Sequence, residues 1–242
     1  CENFRGYVGR EIDGAYAEYV KLPAENFVPL PESLDYKRHP AEIGVIADAI
    51  ATPVKVVRHA QIKPGETVAV IGAGGGLGIH MVMVASWANA RVIAVDRDAT
   101  KLEICKKHGA EFSIGEKKQD LGDALTDLTE GKGVDVVVDF VCTNDTIENT
   151  INALGPGGRL VLLGGAGKTT PFEGYVDTIK NNELSIIGSR YATRSEVRQA
   201  LELVGRGVIW PLVSETYPLM EAEQVHRRLE ESLITGRAAL LM

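Results

Sequence analysis

Cysteine is scarce in this chain of 242 residues, and its three cysteines lie far apart. Cys1, Cys105 and Cys142 form no CxxC pair. Small secreted domains that are held together by disulfides have closely spaced cysteines, so a disulfide framework is not indicated. We therefore expect a reducing, cytoplasmic setting.

Excess positive charge and long apolar runs are also missing. The 26 lysines and arginines are scattered and outnumbered by 33 acidic residues, which gives a formal net charge of −7. Nucleic acid and anionic membranes are therefore not expected as partners. We find no stretch long enough to span a bilayer, no signal-peptide pattern and no internal repeat. A hydrophobic content of 45% and a charged content of 24% are typical of a globular protein with a real core.

Short apolar runs alternate with helical patterns from Thr67 onward. The apolar runs, which we predict to be buried strands, are 68–73, 91–96, 134–141, 159–165 and 183–189. Continuous apolar strands separated by helices are typical of a parallel sheet that is covered on both faces. We predict an α/β fold with a doubly wound parallel sheet over about residues 50–188.

The two flanks of this region have a different pattern. Residues 1–31 and 213–242 contain shorter strand-like pieces and turn residues, which indicates a second domain split across the sequence. Before the second flank, Thr193 and Glu196 have the spacing of a capping box at the start of a helix.

A glycine-rich loop, IGAGGGLG at 71–78, joins a predicted strand to a predicted helix. Glycines allow a tight turn and let the backbone approach a phosphate closely, while the helix N-terminus offers free N–H groups. Gly72, Gly75 and Gly78 give the spacing GxxGxxG rather than GxGxxG, so a simple tight turn remains an alternative.

Asp96 follows the next predicted strand, at the position where a carboxylate can accept both ribose hydroxyls of an adenosine. The same carboxylate would repel a 2′-phosphate, so NAD is favoured over NADP. Arg97, the next residue, could weaken that preference, and an ordinary turn residue remains the alternative for Asp96.

The order of these motifs resembles that of the zinc-type medium-chain alcohol dehydrogenases. The stretches that carry the resemblance are DGAYAEYV (13–20), ADAIAT (47–52), KPGETVAVIGAGGGLG (63–78), VDRDATKLE (95–103), GVDVVVDFV (133–141), GPGGRLVLLGG (155–165) and GRAAL (236–240). The resemblance implies a Rossmann domain at 50–188, preceded by the remainder of a GroES-like β-barrel domain at 1–49 and followed by a return to that domain at 189–242. It further implies NAD and zinc as cofactors, an alcohol, aldehyde or ketone as substrate, and a homodimer or homotetramer formed through the ELSIIGS end of the sheet.

The resemblance also implies roles for individual residues in cofactor binding. It assigns the pyrophosphate to Gly75, Gly76 and Leu77 together with Arg237, and the adenosine ribose to Asp96 and Lys101. The residues that flank the nicotinamide half are Phe140, Val141, Leu163, Gly164 and Gly165. Gly72, Gly78 and Arg97 are also expected to belong to the cofactor site. From the sequence alone, Lys101 and Arg237 would be read as ordinary surface charges.

Asp48 is a carboxylate inside the apolar run GVIADAIATPVKVV, at 44–57. The resemblance implies that Asp48 is the third ligand of a catalytic zinc ion, and that Thr52, at i+4 on the same helical face, packs against the nicotinamide. A helix cap or a buried ion pair is the alternative for Asp48. The resemblance also implies that Cys1 is the fourth cysteine of a structural zinc site.

The other zinc ligands of the resembling family, a cysteine and a histidine, have no counterpart in this sequence. Its five histidines are isolated, and we expect them to be surface or helix residues: His39, His59, His80, His108 and His226. We interpret the sequence as the C-terminal two-thirds of an NAD-dependent, zinc-assisted alcohol dehydrogenase. A zinc-free NADPH quinone or enoyl reductase and a noncatalytic NAD-binding module remain alternatives.

Overall fold

A single parallel sheet of six strands organises the chain. The computed structural model describes residues 6–115, 120–165, 170, 174 and 176–242. The strands are β1 (Thr67–Ile71), β2 (Arg91–Val95), β3 (Phe112–Ile114), β4 (Val134–Asp139), β5 (Leu154–Leu162) and β6 (Ser185–Gly188). Their order across the sheet is β3-β2-β1-β4-β5-β6, and every pair is parallel. This is the doubly wound order of a Rossmann fold, as the sequence predicted.

Helices cover both faces of the sheet. They are α1 (Pro40–Ala49), α2 (Ala51–His59), α3 (Gly78–Trp87), α4 (Ala99–Lys107), α5 (Leu121–Leu128), α6 (Asn144–Asn152), α7 (Val176–Asn181), α8 (Arg194–Gly205) and α9 (Ala222–Glu230). Alternate residues of β1 point to opposite faces. Val68 and Val70 belong to a core with α2, α3 and α8, whereas Ala69 and Ile71 belong to a core with α5 and α6.

The predicted strands are confirmed, but their boundaries differ. β5 begins at Leu154, five residues before the apolar run, because Leu154 already pairs with Val134 of β4; the register then shifts across GPGG before Arg159 pairs with Val136. The sequence analysis missed β3, whose three residues include a serine and form no continuous apolar run.

The flanks supply a small second sheet. β7 (Val213–Pro218) and β8 (Arg237–Leu241) pair in parallel, with α9 between them in the sequence. α1 packs against β8. Residues 6–39 contain only a short 3-10 helix at Ala24–Asn26 and one isolated bridge between Val8 and Ile12. The described residues therefore do not form the partial GroES-like barrel that the resemblance implied.

The predicted capping box at the start of α8 is confirmed, and it is buried. The carboxylate of Glu196 accepts the backbone N–H of Thr193 at 2.7 Å, and it also contacts the Thr193 hydroxyl and the guanidinium of Arg58. Glu196 is fully buried. Burial alone would raise its pKa, but the hydrogen bonds from Thr193 and the charge of Arg58 outweigh burial and lower the pKa.

This lowered pKa predicts a pH-dependent contribution to stability. The ionised carboxylate stabilises the fold above the unfolded-state pKa, and the contribution is lost as the pH falls through the folded-state pKa. We expect Glu196→Gln to lower the free energy of unfolding by about 1–2 kcal/mol at neutral pH, and by less in acid. Urea unfolding at pH 7 and near pH 4 measures this difference. Glu202→Gln, on the exposed face of the same helix, is the control, and an equal loss at both pH values would contradict the prediction.

Among the described helices, none is both long enough and apolar enough to cross a membrane.

Candidate functional site

The predicted cofactor residues gather at one edge of the sheet. Gly72 follows β1, Asp96 follows β2, Phe140 follows β4 and Leu163 follows β5. In a parallel sheet the carboxyl ends of all strands lie on the same edge. The crossovers reverse direction between β1 and β4, which leaves a crevice at that point, the usual ligand position in such sheets.

The glycine loop makes a tight turn from β1 into α3. Gly72 has a positive φ of 75°, and the N–H groups of Gly72 and Ala73 both donate to the carbonyl of Val95, at 2.9 and 3.0 Å. A Cβ atom on Gly78 would lie 2.1 Å from the Gly72 carbonyl oxygen, so only glycine fits where the helix begins. No side chain caps α3. Gly75, Gly76 and Leu77 are half-buried at the opening of the turn.

Asp96 lies beside this loop with both carboxylate oxygens oriented by the backbone. Its Oδ2 accepts the N–H of Gly74 at 2.8 Å, and its Oδ1 accepts the N–H of Asp98 at 3.1 Å. A carboxylate has about four acceptor positions, so each oxygen can accept a further hydrogen bond. Asp96 is half-buried, and Arg97 is exposed.

The loops after β1, β4 and β5 pack closely against one another. A Cβ atom on Gly72 would lie 3.0 Å from Cγ2 of Val141, and one on Gly164 would lie 2.6 Å from the carbonyl oxygen of Phe140. Gly165 has a positive φ of 76° beside Cys142. The structure thus brings together the five residues that were assigned to the nicotinamide half.

Asp139 organises the loop after β4, and the sequence analysis missed it. Its Oδ1 accepts the N–H groups of Val141 at 2.8 Å and Cys142 at 2.9 Å, and its Oδ2 accepts the hydroxyl of Thr146 at 2.7 Å. Asp139 is fully buried. A carboxylate at the end of an apolar strand was the available signal, because buried carboxylates require such partners.

His80 joins the glycine loop to the segment before β7. Its Nε2 accepts the N–H of Leu212 at 2.9 Å, so its Nδ1 carries the proton and donates to the carbonyl of Gly76 at 2.7 Å. Burial lowers the pKa of His80 to about 4, which keeps the ring neutral. His80 is therefore a helix residue with a structural role, as expected.

Lys101 is buried, and its amine binds two backbone carbonyls. Its Nζ donates to the carbonyls of Ser232 at 2.6 Å and Ile234 at 2.9 Å. The aliphatic part of the side chain lies against Gly74. Its implied contact with a ribose stays a prediction.

Asp48, Thr52 and Arg237 form one cluster next to the glycine loop. The Thr52 hydroxyl donates to Oδ1 of Asp48 at 3.0 Å, and Nη2 of Arg237 donates to Oδ2 of Asp48. Nε of Arg237 donates to the carbonyl of Gly76 at 3.2 Å. Thr52 is buried, whereas Asp48 and Arg237 are partly exposed.

The side chains in this cluster do not fit a zinc ion. Both oxygens of Asp48 have hydrogen-bond partners, and one of them is a cation. Within the part of the chain that the structure describes, no group of three or more histidine, cysteine, aspartate and glutamate side chains could hold a metal ion. Catalytic zinc sites use three protein ligands. The role of Asp48 as a zinc ligand stays a prediction, and Cys1 lies outside the described residues.

Comparisons with known proteins agree with this fold. The sequence profile of the zinc-binding dehydrogenases matches residues 76–206. An alcohol dehydrogenase of Geobacillus stearothermophilus is 33% identical over 96% of this chain and 66% of its own length. An acryloyl-coenzyme A reductase of Metallosphaera sedula is 30% identical over 99% of this chain and 68% of its own length.

A solved structure of an NAD-dependent alcohol dehydrogenase is 32% identical, with a TM-score of 0.87 over 98% of this chain and 68% of that one. The chain thus spans about two thirds of the length of the relatives it matches. By its matched profile, its fold and these relatives, the chain belongs to the zinc-binding dehydrogenases, the medium-chain alcohol dehydrogenase family of oxidoreductase enzymes.

Proposed function

We propose that the protein is an NAD-dependent alcohol dehydrogenase and that residues 50–188 are its coenzyme-binding domain. The observation that carries this proposal is the convergence of the glycine loop, Asp96 and the loops after β4 and β5 on the crevice between β1 and β4. A dinucleotide spans such a crevice, with its adenosine on one side of the reversal point and its nicotinamide on the other.

Each part of the dinucleotide has matching groups in this crevice. Gly75, Gly76 and Leu77 lie at the uncapped start of α3, where backbone N–H groups and the helix dipole favour a pyrophosphate. The oriented carboxylate of Asp96 would accept the ribose hydroxyls. The nicotinamide half would lie against the loops at 140–141 and 163–165, with Thr52 nearby.

The contribution of this chain to the reaction is to hold and orient the coenzyme. NAD, when bound, would accept a hydride from the carbinol carbon of an alcohol while the hydroxyl proton is released to solvent, giving an aldehyde or a ketone. The close packing of the loops after β4 and β5 would fix the plane of the ring, and positioning of this kind contributes much of the rate of hydride transfer. The described residues do not fit a zinc ion, so this contribution is confined to the coenzyme.

A reductase that acts on an activated double bond is the second candidate. The pairing of Asp48 with Arg237 and Thr52 favours it, because a carboxylate held in this way is not free to complete a metal site. One of the similar relatives is an acryloyl-coenzyme A reductase. Asp96, which disfavours the 2′-phosphate of NADPH, argues for the first candidate.

Titration with NAD and NADP, followed by an assay of alcohol-dependent NADH formation, tests the proposed function. We expect tighter binding of NAD and reduction of NAD in the presence of alcohols. Tighter binding of NADPH, with oxidation of NADPH by enoyl or quinone substrates, would favour the reductase. Absence of binding to either dinucleotide would contradict both candidates.

Asp96→Asn should reduce the preference for NAD. The variant keeps an acceptor for the N–H of Gly74 but removes the charge that repels a 2′-phosphate and binds the ribose strongly. We expect the ratio of the dissociation constants for NADP and NAD to fall by about tenfold, since hydrogen bonds to charged groups contribute about 1.5–3 kcal/mol. Asp123→Asn, at an exposed position of α5, should leave the ratio unchanged. If Asp96→Asn also left the ratio unchanged, the assignment of Asp96 to the ribose site would be wrong.

We further propose a homodimer or homotetramer that is joined through the edge of the sheet. β6 is the last strand of the sheet, and Ile186 in it is 40% exposed. Unpaired edge strands with exposed apolar side chains readily pair with another chain. Light scattering of the protein and of Ile186→Lys measures this association.

A reducing, cytoplasmic setting remains part of the proposal. The two cysteines within the described ranges, Cys105 and Cys142, are free and buried. Burial raises the pKa of Cys105 to about 12, so its thiol is unreactive at neutral pH.

A further inference from the structure

The guanidinium of Arg237 joins three segments that are distant in the sequence. Its Nε donates to the carbonyl of Gly76 in the glycine loop, at 3.2 Å, and its Nη2 donates to Asp48 at the end of α1. The backbone N–H of Arg237 donates to the carbonyl of Leu212 at 3.0 Å, which fixes the start of β8. A Cβ atom on Gly76 would lie 2.9 Å from Nε of Arg237, so the side chain lies directly on the loop.

Both carboxylate oxygens of Asp48 also have fixed hydrogen-bond partners. Thr52 is 2% exposed, and its hydroxyl fixes Oδ1 of Asp48 while Oδ2 accepts from Arg237. α1, which carries Asp48, packs against β8, which carries Arg237. The carboxylate therefore has a fixed direction, and its charge is compensated by Arg237.

We propose that Asp48 is a positioning residue that orients Arg237 on the glycine loop for the pyrophosphate of the dinucleotide. The inference rests on the proposed NAD site. A guanidinium carries five N–H donors in one plane, so fixed partners for Nε and Nη2 determine the direction of the others. The side chain of Arg237 is 27% exposed, so part of it remains accessible to an anion.

Removal of Asp48 would have two opposing effects on anion binding. The loss of its negative charge would strengthen the attraction of the site for a pyrophosphate. The loss of its hydrogen bond would release the flexible arginine side chain, which must then be ordered again when the ligand binds. The side chain of Asp48 is 44% exposed, so water screens the charge effect and the ordering effect dominates.

Two variants of Asp48 separate these effects. Asp48→Asn removes the charge but keeps an oxygen acceptor, whereas Asp48→Ala removes both. We expect Asp48→Ala to raise the dissociation constants of NAD and of ADP-ribose by about fivefold, within the range expected for releasing one flexible side chain. We expect Asp48→Asn to have a smaller effect. Glu42→Ala, on the same helix but away from the glycine loop, is the matched control.

A double-mutant cycle with Arg237→Ala tests whether Asp48 acts through Arg237. If it does, Asp48→Ala weakens binding in the wild-type background and adds nothing in the Arg237→Ala background. Thermal unfolding of each variant, measured in parallel, shows that the protein is folded. If Asp48→Ala does not fold, Asp48→Asn takes its place in the double-mutant cycle.

The outcomes distinguish this inference from the proposed function. Wild-type protein that binds no NAD would overturn the proposed function, and the inference with it. Wild-type protein that binds NAD, together with unchanged binding in both Asp48 variants, would overturn the inference alone. So would equal weakening by Asp48→Ala in both backgrounds, or metal analysis showing that wild-type protein holds zinc and that Asp48→Ala loses it.

Discussion

Gly78→Ala is expected to abolish dinucleotide binding and to lower the free energy of unfolding by about 3 kcal/mol, the upper part of the range for overpacking. The new Cβ atom would lie 2.1 Å from the carbonyl oxygen of Gly72 and 2.8 Å from two atoms of Ala73. Both neighbours are backbone, which cannot move aside by a change of rotamer. The loop also donates two hydrogen bonds to the carbonyl of Val95 in β2, so it can move away from the new Cβ atom only by breaking them.

Binding is lost in this variant because the clash lies at the start of α3. Displacement of the turn would redirect the N–H groups of the helix N-terminus that are proposed to face the pyrophosphate. Titration with NAD and with ADP-ribose should therefore show the same loss for both ligands. Retention of wild-type affinity for either ligand would contradict the assignment of this loop.

Gly44→Ala is the matched control for this substitution. Gly44 is exposed in the middle of α1, and a Cβ atom there would meet no described atom within 4 Å. Alanine favours the helix over glycine by about 0.5–1 kcal/mol. We therefore expect the same chemical change to stabilise the protein at this position and to leave binding intact. Urea unfolding of the two variants measures the change in the free energy of unfolding, which we expect to be a decrease for Gly78→Ala and an increase for Gly44→Ala.

Asp139→Ala is expected to lower the free energy of unfolding by about 3–4 kcal/mol. The substitution removes the acceptor of two backbone N–H groups, that of Cys142, which is buried, and that of Val141, which is partly buried. A buried group left without a partner costs about 1–3 kcal/mol, and the fixed conformation of the loop is lost with these bonds. Cys142 also has a positive φ of 54°, which is unfavourable for a non-glycine residue and which these hydrogen bonds help to maintain.

Asp139→Asn is the milder variant that reports on function. Its amide oxygen can still accept from the backbone, so the protein should fold. The loop after β4 is proposed to contact only the nicotinamide half, so NAD should lose affinity by about threefold while ADP-ribose loses less. Asp145→Asn, at an exposed position nearby, is the control. Equal losses for the two ligands would show that Asp139 supports the sheet generally and not the nicotinamide loop.

Sequence reasoning succeeded wherever the signal was local. Continuous apolar runs predicted five strands, and the glycine spacing located the turn between β1 and α3, because each depends on residues that are adjacent in the chain. β3 was missed because Ser113 interrupts a very short strand at the edge of the sheet.

The partners of the charged side chains could not be predicted in this way. Arg237 and Asp48 are 189 residues apart in the sequence, and no pattern within either segment indicates the other. Lys101 donates to carbonyls 131 and 133 residues away. Every residue has a backbone carbonyl, so the sequence does not indicate which ones accept this amine. Asp139 was hidden in an apolar run, although a buried carboxylate should have prompted a search for donors.

The contacts that hold the glycine loop determine when it can reach its final conformation during synthesis. The loop lies at 71–78, but three of the groups that hold it and the start of α3 come from residues 212–237: the N–H of Leu212 on His80, the N–H of Gly236 on Gly74 and the guanidinium of Arg237 on Gly76. During synthesis the loop therefore leaves the ribosome long before its supports. The loop that we propose to bind the pyrophosphate acquires these contacts only when the later segment has folded back, so nascent chains that stop before this segment should not bind NAD.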